Sequence, residues 1–168
     1  MMSGKHRIKW VIILLCLVIA GLALALIPRH GEPAALIDGV KFRMRPSEVH
    51  SLLGKPDAET ESDVSPTLYD TYESVYAGVP AEVHFRYIRV RLHYELYEVS
   101  IRCDTDDSAR IAARMTEQLR SAYGSLDGYY EEAAPEGMRL GVSMGAEAIS
   151  GSVETDADGV RALLSFVY

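Results

Sequence analysis

The chain has 168 residues and a net charge of −7, with 10 tyrosines against one tryptophan and a hydrophobic content of 48%, a make-up that excludes a disordered polyelectrolyte. From Pro28 onward it carries 14 Lys/Arg against 24 Asp/Glu, a charge of −10, which argues against a general nucleic-acid binder because counterion release needs clustered cations. Cys16 and Cys103 are its only cysteines, so there is no disulfide framework, no thiol-redox pair and no cysteine zinc site.

The first 27 residues do not read as globular. A basic head at 1–9, with Lys5, Arg7 and Lys9, precedes an uninterrupted apolar run from Trp10 to Ile27. As a helix this run would span about 27 Å, close to a hydrocarbon core of about 30 Å. It is therefore expected to be a transmembrane anchor or a signal sequence. Ala23-Leu24-Ala25 offers a small-residue cleavage site, which would release a secreted form, so both alternatives stand. A lipid-attachment role for Cys16 fails, because Leu15 precedes it and the apolar run continues past it. The basic head favours a cytoplasmic N-terminus, placing the remainder outside the cytoplasmic membrane. Residues 28–36, with two prolines and a glycine, read as a linker to an extracytoplasmic domain at 37–168.

The stretch MRPSEVHSLLGKPD, Met44 to Asp57, predicts a two-turn helix. Pro46 suits its first position, Val49, Leu52 and Leu53 form an apolar face, Gly54 can cap it, and Pro56 prevents continuation. Each of these residues has a local structural job, so the stretch reads as scaffold. An acidic loop, DAETESDVSP, follows. Then TLYDTYESVYAGVP, AEVHFRYI and RLHYELYEVSIRC alternate in the manner of strands, with a change of parity near Leu96-Tyr97 that predicts a bulge.

The pattern then restarts. DDSARIAARMTEQLRSAYG places Ile111, Met115, Leu119 and Ala122 on one helical face, with Asp106 or Asp107 as cap and Gly124 as terminator. GYYEEAA, MRLGVSM, AEAISGSVET and VRALLSFVY read as three or four antiparallel strands, with a tight turn at Asp156-Ala157-Asp158-Gly159. The expected fold class is α+β: two tandem helix-plus-antiparallel-β-meander units, 37–103 and 104–168, with the helices on one face of an antiparallel sheet.

DGVKFRMRPSEVHSLLGKPD resembles the G-x-T-x-x-E-V-x-x-x-L-G-x-P motif of the SmpA/OmlA (BamE-like) envelope proteins, through Met44, Glu48, Val49, Leu53, Gly54 and Pro56. The doubled layout is similar to the β-lactamase-inhibitory-protein fold. The resemblance implies an envelope location and a helper role in outer-membrane protein assembly.

Candidate chemistry is sparse. Glu154 to Gly159 mimics the start of a calcium loop, but its twelfth position is Ser165 where a bidentate Glu is needed. Asp104, Asp106 and Asp107 suit a helix start. His84 and His93 have no further ligands at metal spacing. Arg86, Arg89 and Arg91 are expected to pair with the domain's own carboxylates, and Cys103 to be a small buried apolar residue. No phosphate loop, nucleophile elbow or zinc-protease motif is present. No catalytic, cofactor-binding or metal residue is assigned, and no cofactor is expected. The expectation is a membrane-anchored, non-catalytic protein-binding or assembly-support module whose partner is another envelope protein. The alternatives are a secreted enzyme inhibitor of the β-lactamase-inhibitory type and an envelope hydrolase.

Overall fold

A computed structural model describes residues 33–144 and 147–167. Eight strands, β1 (Ala58–Glu61), β2 (Thr67–Tyr76), β3 (Val79–Val90), β4 (His93–Asp104), β5 (Tyr129–Ala134), β6 (Gly137–Met144), β7 (Glu147–Asp156) and β8 (Gly159–Val167), form one sheet. The order is β1-β2-β3-β4-β8-β7-β6-β5, and every neighbouring pair is antiparallel. Among the described residues helix is confined to α1 (Pro46–Leu53) and α2 (Ser108–Tyr123), of 8 and 16 residues.

This corrects the α+β expectation of two tandem helix-plus-meander units. The strands make a single continuous eight-stranded antiparallel sheet, and the described residues are mainly β with two short helices. The reason lies in β4 and β8, which were expected to end their respective halves. Instead they pair from Glu98↔Ser165 to Asp104↔Gly159 and form the middle of the sheet. Their apolar residues Val99, Ile101, Cys103, Val160, Ala162 and Leu164 are all buried, as the centre of a sheet demands. Gly159 permits this approach: its φ is +151°, and a Cβ there would lie 2.1 Å from the Cys103 carbonyl oxygen.

One face of the sheet carries the core. Cross-strand pairing aligns Phe85, Val99 and Leu164 on it, with Tyr72, Val83, Ile101, Ala162 and Val153 in the next row. Ile111, Met115, Leu119 and Tyr123 of α2 and Val49 of α1 are buried against the same cluster. The expected α2 face thus contributes Ile111, Met115 and Leu119, but Tyr123 replaces the exposed Ala122. In α1 only Val49 is buried; Leu52 and Leu53 are 52% and 37% exposed. Arg45 occupies the N-cap, and the orphan N–H of Arg45 donates to Glu48 Oε2 at 2.7 Å, one half of a capping box.

Residues 33–36, read as the end of a linker, are packed: Ala34 and Leu36 are buried, and the Tyr123 hydroxyl donates to the Pro33 carbonyl. The segment continues beside β4, where the Arg43 N–H donates to Leu96 O at 2.7 Å and the Leu96 N–H to Met44 O at 2.8 Å. It meets β4 beyond the stretch paired with β8, and Phe42 stacks against Phe166 with centroids 5.6 Å apart. The bulge expected near Leu96-Tyr97 is present as a register shift opposite Arg86/Tyr87. Among the described residues no helix is long and apolar enough to cross a membrane. The expected anchor or signal at 10–27 lies outside them.

Leu164 is fully buried in the central strand, with its Cδ2 against Gly151. Leu164→Ala is expected to lower stability by about 2–5 kcal/mol in urea titration, because the neighbouring strands can relax only partly into the cavity. A loss below about 1 kcal/mol would show that the centre of the sheet is not packed as described.

Candidate functional site

Three places concentrate chemistry. The first lies where α1 crosses β1 and β2. Leu68, Asp70 and Tyr72 share one face of β2, so the alternation that buries Tyr72 also turns Asp70 inward, where it is 0% exposed. The last turn of α1 delivers His50, whose Nε2 lies 2.7 Å from Asp70 Oδ2. Glu59 on β1 is directly paired with Asp70 and faces the same way. One ligand-type atom from each of His50, Glu59 and Asp70 falls within 4.8 Å of the others.

Two tyrosines complete this corner. The Tyr72 hydroxyl donates to the Gly54 carbonyl at 3.1 Å and ties the end of α1 to the sheet. Burial, then the charges of Asp70, Asp57 and Glu59, push its pKa up to about 12. Tyr87 is fully buried and is driven further in the same direction by burial and by the Asp70 carboxylate. Asp70 Oδ1 and the Tyr87 hydroxyl are both buried and meet one another, with no hydrogen bond to a third group. A His–Asp contact is also two of the three members of a hydrolytic triad, but the nearby Tyr72 and Ser51 hydroxyls donate to the Gly54 and Ser47 carbonyls.

The second place is the sheet face opposite the helices. Register puts Tyr69, Arg86, Glu98, Ser165 and Ser150 in one row across it, and Thr71, His84, Ser100, Leu163 and Ser152 in the next. The Arg86 guanidinium lies between the Tyr69 and Tyr97 rings, 5.6 and 5.0 Å from their centroids, and 3.5 Å from Glu98. The bulge in β4 is what swings Tyr97 to this side.

The third is a cleft of about 270 Å³ between residues 36–38, the β2–β3 hairpin and α2. Its central polar groups already serve the fold. The Tyr76 hydroxyl donates to Gln118 Oε1 at 2.6 Å, and Gln118 Nε2 donates to the Ala35 carbonyl at 2.8 Å.

The groups singled out in the sequence fall elsewhere. His84 pairs across the sheet with Ser100 and contacts Thr71 and Glu82, whereas His93 closes the β3–β4 hairpin beside Glu95; the two do not meet. Asp104 and Asp107 engage Arg102 and Arg110. Glu154 to Gly159 forms the β7–β8 hairpin, with Asp156 Oδ1 accepting from the Asp158 and Gly159 N–H groups. Arg86 pairs with a carboxylate of its own domain, as expected, while Arg91 sits at the β3–β4 turn with φ +57°. His50 and Asp70 went unnoticed. Their signal was an acid at the inward parity of β2 and a histidine one residue after the buried Val49.

Comparison with known protein families, with curated proteins and with solved structures finds no match.

Cys103 is fully buried, and burial, followed by the Asp104 charge, pushes its thiol pKa up to about 11. The thiolate is the reactive form, so iodoacetamide at pH 8 should modify Cys103 on the order of 100-fold more slowly in the native protein than in the urea-unfolded chain. Peptide mass spectrometry reads this directly. Equal rates would place Cys103 outside the core.

Proposed function

We propose that this protein is a membrane-anchored, extracytoplasmic protein-binding or assembly-support module without catalytic activity, and that its partner is another envelope protein. The observation that carries this reading is the Tyr69–Arg86–Tyr97 stack on the sheet face opposite the helices. Tyrosine and arginine dominate interface hot spots, tyrosine because it offers large area with few rotors and a polar tip, arginine because its planar charged fork stacks on rings and pairs with carboxylates. Here the arginine is held between two rings and beside Glu98, so little side-chain entropy remains to be lost on binding. Small serines at 150, 152 and 165 leave the surroundings flat, which suits a protein surface better than a small molecule. The basic head, the apolar run at 10–27 and the similarity of Met44–Pro56 to the SmpA/OmlA motif support the envelope location.

Photo-crosslinkers at Thr71 and Ser150, on this face, should capture one and the same protein in intact cells. A crosslinker at Ala113, on the exposed side of α2, should not. Tyr97→Ala is expected to reduce capture at least tenfold while leaving the melting temperature within a few degrees. Capture from Ala113 alone, or no protein capture together with stabilisation by a small molecule, would overturn the reading.

A further inference from the structure

Asp70 presents a physical problem that the fold solves only in part. Its carboxylate is 0% exposed, with one oxygen 2.7 Å from His50 and the other meeting the equally buried Tyr87 hydroxyl, with no third group to complete its shell. A buried charge is costly to keep unless it is fully paired and hydrogen-bonded. Glu59 makes the position more demanding, since it brings a second carboxylate within 4.8 Å. Two acids and one imidazole therefore converge on a single point.

We infer that His50, Glu59 and Asp70 form a binding site for one divalent first-row transition cation, of which Zn²⁺ is the representative. Three observations select this ligand class. Two carboxylates carry the charge that a dication neutralises. An imidazole among them favours zinc-like ions over calcium or magnesium, which prefer all-oxygen shells. Donor atoms around a tetrahedral zinc with bonds of about 2.0 Å lie about 3.3 Å apart. The present spread, from 2.7 Å to within 4.8 Å, brackets that value.

Access is open from one side. Glu59 is exposed on the edge strand and His50 keeps 27% of its side chain exposed, whereas Asp70 forms the floor. The cation would tie α1, β1 and β2 together at a corner where α1 buries only Val49 and β1 is four exposed residues long. It would act as a clip on the least packed part of the domain, separate from the tyrosine–arginine face.

The test is titration of the full chain in detergent, stripped with chelator, with ZnCl₂ by calorimetry and thermal melting. One equivalent should bind and raise the melting temperature by several degrees, whereas CaCl₂ and MgCl₂ at the same concentrations should not. Among the described residues Glu59 has no side-chain hydrogen bond, so Glu59→Gln should fold normally yet lose at least tenfold in zinc affinity; Asp70→Asn should lose more. Co²⁺ should give visible absorption in the parent protein that vanishes in Glu59→Gln. Absence of zinc binding, or zinc affinity unchanged in Glu59→Gln, would overturn the inference. Equal stabilisation by Ca²⁺ would overturn the assignment to transition cations.

Discussion

The structure depends on the ladder between β4 and β8. Seven residue pairs, from Glu98↔Ser165 to Asp104↔Gly159, turn two meanders into one sheet. Without that ladder both strands would present long unpaired edges flanked by apolar residues, a form prone to aggregation. With it, the outer edges are the four-residue β1 and the six-residue, mostly exposed β5, which carries Glu131 and Glu132. Short or charged edges are what an open sheet tolerates best.

A joined sheet of this kind has one face to fill and one left over. The core face is filled by α2, by Val49 of α1 and by Ala34, Leu36, Val40 and Phe42, which run ahead of the first helix. The opposite face is mainly polar, with serines at 150, 152 and 165 and the arginine held between two tyrosines over β2 to β4. The same alternation that creates this division also creates the His50–Asp70 corner. Asp70 takes an inward position that a strand would normally give to a hydrophobe, in the same cross-strand row as Phe85 and Val99. A local rule broken at an inward position is a common mark of function.

Much of the secondary structure was legible in the sequence, because long amphipathic segments declare their period. Ile111, Met115 and Leu119 specify α2, and Val83, Phe85, Val99, Ile101 and Cys103 specify β3 and β4. The parity change at Leu96-Tyr97 gave away the bulge. The fold class was not legible, since alternation shows which residues face inward but not which strand lies beside which. The pairing of β4 with β8 joins residues about sixty positions apart and leaves no local trace. β1 was hidden in an acidic segment because an exposed edge strand, AETE, has no apolar alternation to reveal it. Leu52 and Leu53 misled in the opposite direction: their spacing fits a buried face, yet α1 is so short that Val49 alone reaches the core. His50 was hidden for the same reason, being a polar residue whose partner lies on another element.

Native-state hydrogen exchange tests the central ladder most directly. If β4 and β8 join the halves into one cooperative body, amides of 98–104 and 159–165 will exchange slowest, with a common opening free energy equal to that of global unfolding. Amides of β2, β3, β6 and β7 should approach the same limit. Two distinct plateaus, one for β1 to β4 and another for β5 to β8, would contradict the account and leave the halves as independent units.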